Sequence, residues 1–295
     1  MKWRDQLAAR EGTSATPIAP PSDLLRNFDV KIADAALWCV RRADASSSVT
    51  LQQLREQQEI DERLLKGVAN VDWKVLGSAD PNVFCLGGDL SLFLDCIARH
   101  DEEALLEYGL LAAHCVWRNT AGFGPRRLGS IAVVEGEAQG GGFEVALSCH
   151  WLVATRDSSF GFPESLFGVL PGMGARALLT ARVGHSTAER MISSANRYSA
   201  EFLHEIGVVD VLVNSGEAQE AARSIVAGQV RGHKPRGLDE RTELTFQSLV
   251  ADVENWVDAV MQISIRHQRF MRYLLEAQRR RSEREVQGQG RANNP

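Results

Sequence analysis

No stretch of this 295-residue chain approaches the roughly 18 consecutive apolar residues that a membrane-spanning helix requires, which excludes such a helix. An apolar signal core is missing too: the N-terminus, MKWRDQLAAREGTSATPIAPP, breaks its apolar stretches with charge, so the expected location is the cytoplasm. Cysteine is sparse and odd in number. The five residues (Cys39, Cys85, Cys96, Cys115 and Cys149) show no CxxC spacing, which argues against a disulfide framework or a zinc ribbon and for reduced core thiols. The nucleophile and phosphate-loop signatures GxSxG, HExxH and GxxxxGK(S/T) are all absent. The neighbours His114-Cys115 and Cys149-His150 have side chains that diverge on a helix or strand, so both pairs are read as core.

What the chain does have suits one large or two modest soluble domains: 44% of its residues are hydrophobic and 24% charged. The net charge is -5, yet residues 261–295 carry eight arginines against three glutamates, leaving +5 there and -10 elsewhere. The chain as a whole therefore has no nucleic-acid footprint. Its C-terminal arginines, Arg279, Arg280 and Arg281 among them, form either a solvated helix face or a surface for an acidic partner or a phosphorylated substrate.

Composition and periodicity divide the chain into a disordered N-terminal tail (1–22), an α/β core (23–230), an all-helical C-terminal region (231–287) and a flexible tail (288–295). Within the core, VKIADAALWCV (30–40) reads as one strand, and Leu51 to Leu65 as a surface helix with one narrow apolar stripe. VDWKVL (71–76), SIAVVEG (130–136), WLVATR (151–156) and SSFGF (158–162) read as further strands. Residues 77–88 read as a loop ending in paired glycines, and QGGGFEVALSCH as a glycine-rich loop opening a helix. From Leu238 to Arg284 the chain reads as helical, with Leu244, Leu249, Val253, Trp256, Val257, Val260 and Ile263 forming an apolar seam.

Gly172-Met173-Gly174-Ala175-Arg176-Ala177 matches G-x-G-x-x-A, but Pro171 precedes it where a dinucleotide site needs a clear strand, so no nicotinamide site is read there. The stronger constellation is Gly140-Gly141-Gly142-Phe143-Glu144, with Glu164 twenty residues later. Backbone N–H groups at a helix start lack internal partners and lie at the positive end of the helix dipole, so they can receive a developing oxyanion. Paired glycines at 87 and 88 offer a second donor. Glu144 and Glu164 are then candidates for general base and general acid, acting on a thioester whose enolate the two donors would stabilise. Singly, each glutamate would pass as a helix N-terminal carboxylate, but that reading explains neither three successive glycines nor the pairing.

The runs Leu86-Gly87-Gly88-Asp89, GSIAVVEGEAQGGGFE, FGFPESLFGVLPGMGA and YSAEFLHEIGVVD resemble the crotonase (enoyl-CoA hydratase/isomerase) superfamily over about residues 25–290. LGGDLSLF, GGGFEVALSCH and the helical end WVDAVMQ…AQRRR are similar to the diffusible signal factor synthases, which make cis-2-unsaturated fatty acid signals for bacterial cell-cell communication. The resemblance implies an α/β fold with a crotonase-like spiral of ββα turns and a C-terminal helical region, assembled as trimers or higher oligomers. It implies that Gly88 and Gly141 supply the oxyanion N–H groups, that Glu144 and Glu164 are the acid/base pair, and that Met173 and Trp256 line the acyl pocket. No metal or redox cofactor is implied. The implied reaction dehydrates a 3-hydroxyacyl chain on acyl carrier protein and hydrolyses the thioester to the free acid. Phe143 replaces the small residue that ordinary hydratases usually carry before the first glutamate, which agrees with the synthases. An ordinary enoyl-CoA hydratase acting on CoA thioesters and a catalytically silent regulatory binding protein stand as alternatives, and the resemblance also allows restraint by a signal receptor or sensor kinase.

Overall fold

A computed structural model of the chain describes residues 25–65, 70–122, 128–230 and 244–292. The expected N-terminal tail, 1–22, lies outside these residues. Two stacked sheets form the core. The larger has the strand order β1 (Phe28–Ala33), β2 (Ala36–Arg41), β3 (Trp73–Ser78), β5 (Gly129–Val134), β7 (Trp151–Thr155), β10 (Val211–Val213), and the smaller β4 (Val83–Cys85), β6 (Glu137–Gln139), β8 (Ser159–Gly161), β9 (Arg197–Ser199). The chain feeds them alternately: β3 (Trp73–Ser78), β5 (Gly129–Val134) and β7 (Trp151–Thr155) lie side by side and parallel in the larger sheet. Each is followed within a few residues by a short strand of the smaller sheet, β4 (Val83–Cys85), β6 (Glu137–Gln139) and β8 (Ser159–Gly161). Helices then carry the chain back: α2 (Leu90–Arg99) and α3 (Glu102–Ala121) after β4, α4 (Gly141–Ser148) after β6, and a 3-10 turn (Pro163–Phe167) with α5 (Ala175–Val183) and α6 (His185–Ser193) after β8. This is the expected ββα spiral. β9 (Arg197–Ser199), α7 (Ala200–Glu205), β10 (Val211–Val213) and α8 (Ala218–Val226) complete it.

Both faces of the larger sheet are covered, which is why its strands read as continuous apolar runs. Trp38, Val75, Ile131, Val133 and Val153 turn to one side against Ala218, Ala222 and Ile225 of α8, and the alternate residues enter the main core. All five cysteines are buried and free.

The strand expected over 30–40 is instead a hairpin, β1 (Phe28–Ala33) and β2 (Ala36–Arg41), paired antiparallel. Asp34 and Ala35 make the turn at φ 53° and 60°, the left-handed geometry a two-residue hairpin needs. Because neither residue is Asn or Gly, the usual turn signal is missing from the sequence. The loop expected over 77–88 likewise contains β4.

The helix expected on the surface, α1 (Leu51–Leu65), is half internal: Gln53, Glu56, Gln57 and Asp61 are buried beside Leu54 and Ile60. Lys74 sits on a strand buried on both faces, and its Nζ lies 2.5 Å from Asp61 Oδ1, with both side chains fully enclosed. Asp61 falls on the helical spacing of Leu51 and Leu54, and the buried ammonium gives the reason a carboxylate stands there.

The C-terminal region expected over 231–287 is a pair of helices, α9 (Phe246–Met261) and α10 (Ile265–Ala292), with residues 231–243 outside the described ones. The tail expected from 288 is helical as far as Ala292. Leu249, Val253, Val257, Val260 and Ile263 of the expected seam are buried. A Cβ on Gly109 of α3 would lie 2.5 Å from Val253 Cγ1, so this glycine sets the close approach of α9.

Because each buried charge would be left uncompensated without the other, Lys74→Met or Asp61→Leu alone should cost about 3–5 kcal/mol. The double variant Lys74→Met/Asp61→Leu should recover most of that loss in urea unfolding; strict additivity of the two single losses would contradict the pairing.

Candidate active site

The spiral brings the C-terminal ends of β4, β6 and β8 together, and the segments leaving them converge on one cavity of about 1040 Å³ including its mouth. Gly88, Gly141, Glu144, Glu164, Met173 and Trp256 all line it. The remaining wall is largely apolar, with contributions from Leu54, Phe93, Ala112, Val260 and Leu274.

Three successive glycines at the start of α4 make room for three different neighbours. A Cβ on Gly140 would strike the Glu164 carboxyl, one on Gly141 would lie 2.7 Å from Met173 Cε, and one on Gly142 would lie 2.6 Å from the Cys85 backbone oxygen. Gly140 also needs its φ of 52° to turn the chain from β6 into the helix, and it is held there by its N–H, which donates to Gly161 O at 2.8 Å. Gly141 is the first residue of α4, so its N–H has no partner inside the helix and sits at the positive end of the dipole.

The opposing loop leans on this junction. Gly87, at φ 89°, comes so close that a Cβ there would lie 3.4 Å from Gly141 N. Val49 N–H donates to Gly87 O at 2.8 Å, Tyr108 Oη donates to Val49 O at 2.8 Å, and Asp89 N–H donates to Tyr108 Oη at 3.3 Å. Asp89 in turn caps α2 by accepting from Ser91 and Leu92. The Gly88 amide is thus carried on a loop anchored to α1, α2 and α3. Tyr108 is a bracing residue that sequence reading passed over; a tyrosine inside a helical apolar run carries no mark that separates it from ordinary core.

Glu144 is almost wholly buried, and its Oε1 accepts from Met173 N–H at 2.8 Å and Ala175 N–H at 3.1 Å. This explains the glycine motif that resembled a dinucleotide loop. Gly174, at φ 88°, turns two amides of the α5 start onto the glutamate. Burial pushes the Glu144 pKa up to about 7, with the two amides pulling against it. Glu164 follows Pro163 at the start of the 3-10 turn, and its Oε2 is closed off from solvent with no hydrogen-bond partner among the described residues. Burial first, and the Glu144 charge second, raise its pKa to about 8. Both carboxyls are thus raised toward neutral pH, Glu164 further than Glu144, which alone has the two amides favouring its charged form.

Met173 and Trp256 stand in the cavity wall. The Trp256 indole lies over Gly172, where a Cβ would be 2.6 Å from its Cγ, and meets Phe93 edge-on at 5.1 Å. Phe143 does not reach the cavity. It is fully buried on the other side of α4, stacked at 4.8 Å on Phe162 and 5.1 Å from Phe160, so its contribution is packing behind the helix. Of the His-Cys neighbours, Cys115 touches the cavity and burial pushes its thiol up to about 12, while His114 packs 6.1 Å from Phe246. Among the described residues no group of three or more His, Cys, Asp or Glu is placed to hold a metal ion, and no helix is long and apolar enough to cross a membrane.

Residues 66–235 match the family model described as enoyl-CoA hydratase/isomerase. The chain belongs to this crotonase family. Like other crotonases it is built for acyl thioesters of CoA or a carrier protein. Among solved structures, this crotonase is similar to Pseudomonas aeruginosa DspI, at 27% identity over 73% of this chain and 84% of that one, with a TM-score of 0.59. An enoyl-CoA hydratase/isomerase from Xanthobacter autotrophicus Py2 (22% identity, 91% and 98% coverage, TM-score 0.67) shares the fold. So does an enoyl-CoA hydratase from Bacillus halodurans (17%, 84% and 99%, 0.70).

An acid whose pKa is raised on folding holds its proton in the native state after the unfolded chain has lost it, so it costs stability as pH rises from its unfolded value to its folded one. Glu164→Gln should therefore leave stability near pH 4 unchanged and raise it by roughly 2–4 kcal/mol at pH 8. Chemical denaturation at the two pH values reads this directly, and an equal effect at both would show that Glu164 is not held protonated.

Proposed function

We propose that this crotonase dehydrates a 3-hydroxyacyl chain carried on acyl carrier protein and then hydrolyses the thioester, releasing a free cis-2-unsaturated fatty acid that serves as a cell-cell signal. The observation that carries the chemistry is the pairing of two carboxyls on one cavity, Glu144 held by two amides and Glu164 with an enclosed Oε2 that has no partner among the described residues, across from the glycine amides of two loops. In this reading the thioester oxygen accepts from the N–H groups of Gly88 and Gly141. The Glu144 carboxylate removes the C2 proton, and the two amides take up the enolate charge. The Glu164 carboxyl gives its proton to the C3 hydroxyl, which leaves as water, and the 2-enoyl thioester remains. In the second stage water adds to the thioester carbonyl through the same oxyanion site, and the carrier thiol departs with a proton as the acid is freed.

The likeness to the diffusible signal factor synthases in LGGDLSLF and GGGFEVALSCH favours this product over that of an ordinary hydratase, which the same four groups would also serve. The carrier is favoured by α10. Its inner face gives Met271, Leu274 and Gln278 to the cavity, and its outer face exposes Arg266, Arg269 and Arg272. A basic helix over the mouth of an otherwise acidic protein suits an acidic carrier.

Mass spectrometry after incubation with a medium-chain 3-hydroxyacyl carrier protein should detect the free cis-2-unsaturated acid, and Glu144→Gln or Glu164→Gln should lower its formation by roughly 10²-fold or more. An enoyl chain still held as thioester, or turnover with CoA substrates alone, would establish the ordinary hydratase instead. Reversing Arg266, Arg269 and Arg272 to glutamate should raise KM for the carrier-bound substrate with little change in kcat; an unchanged KM would remove the carrier from the proposal.

A further inference from the structure

Two of the groups placed in the reaction above stand on α4, α5 holds one of them by a backbone amide, and a buried arginine ties these two helices together away from the cavity. α4 carries the Gly141 N–H and Glu144 at its start, and α5 supplies the Ala175 N–H that holds Glu144. Near the end of α5, Arg182 reaches back to the end of α4. Its Nη2 donates to Leu147 O at 3.2 Å and Cys149 O at 3.0 Å, and its Nη1 donates to Val208 O at 2.9 Å. The same Nη1 lies 3.3 Å from Asp210 Oδ2, and both side chains are 1% exposed. Asp210 Oδ2 also accepts from Leu152 N–H of β7 at 2.8 Å, which anchors the arginine to the central sheet.

The consequence is a closed loop of contacts. The start of α5 grips the Glu144 side chain, and its end grips the carbonyls at the end of α4. With only eight residues, α4 has no length in which to absorb a shift. A slide along its axis would move the Gly141 amide and Glu144 together, away from the α5 amides. A planar guanidinium that bonds several carbonyls at once fixes such a position in a way that a point charge on a flexible stem does not.

We propose that Arg182, braced by Asp210, is a positioning residue that holds α4 in place against α5, so that the Gly141 N–H and the Glu144 carboxylate are aimed at the same substrate. This rests on the reading of Glu144 as the base. Arg182 touches no substrate, and its effect on the reaction passes through α4.

The test is a pH profile of kcat and kcat/KM for Arg182→Lys and for the double variant Arg182→Met/Asp210→Asn, each checked for native circular dichroism. Arg182→Lys keeps a cation opposite Asp210 and serves if the double variant does not fold. The expected result is a fall in kcat of roughly 10- to 100-fold with KM little changed, since small displacements of reacting groups act on the chemical step. The acid limb of the profile should also move to higher pH, because Glu144 loses the amides that favour its charged form. Folded variants that keep the wild-type acid limb, whether kcat is unchanged or merely lowered, would overturn the proposal and leave Arg182 a structural residue. Full activity in Glu144→Gln would instead overturn the assignment of the base, so the two failures are distinguishable.

Discussion

Two carboxyl groups on one largely apolar cavity are both pushed toward their protonated forms by loss of solvent, and most of what surrounds them bears on that constraint. Desolvation alone would keep both protonated and useless as a pair. The protein separates them with hydrogen bonds: Glu144 receives two amides from the start of α5, while Glu164 has one oxygen with no partner among the described residues. One group becomes the better base and the other the better acid, from the same chemistry in two environments.

The spiral makes this separation available. Each turn passes from the larger sheet to the smaller and then into a helix or loop, so several element starts arrive at the same end of the smaller sheet. A helix start is where backbone amides are free, and α4 and α5 each present one in this way, one toward the cavity and one toward Glu144. The glycines are the cost of bringing these starts so close together. Gly140 gives room to the Glu164 carboxyl and Gly174 turns the α5 amides inward, while Gly87 lets the opposing loop approach Gly141. The helices α9 and α10 then add Val253, Trp256, Val260, Met271 and Leu274 to the apolar wall of the cavity.

Charge burial recurs on either side of the site with a structural purpose. Lys74 and Asp61 pair fully enclosed between β3 and α1, and Arg182 and Asp210 pair between α5 and the segment leading to β10. In both cases the ions join separate elements, 13 and 28 residues apart in sequence, where a hydrophobic contact would tolerate sliding.

The sequence by itself determined most of the strands and helices, the glycine loops, the spacing of the two glutamates and the family, because these are local: a run of apolar residues, three glycines before a helix, or a Pro-Glu step can each be read within a dozen positions. It also placed Met173 and Trp256 in the cavity wall. The hairpin at Asp34 and Ala35, the inward face of α1, the bracing by Tyr108 and the clamp at Arg182 were decided only by tertiary structure. A buried ion or hydroxyl is defined by its partner on another element, which periodicity does not reveal, so Tyr108 reads as ordinary core and Asp61 gives no sign of its lysine. The same holds for the difference between the two glutamates. Their spacing announced a pair, but which one keeps its proton depends on amides that reach Glu144 only when α5 folds against α4.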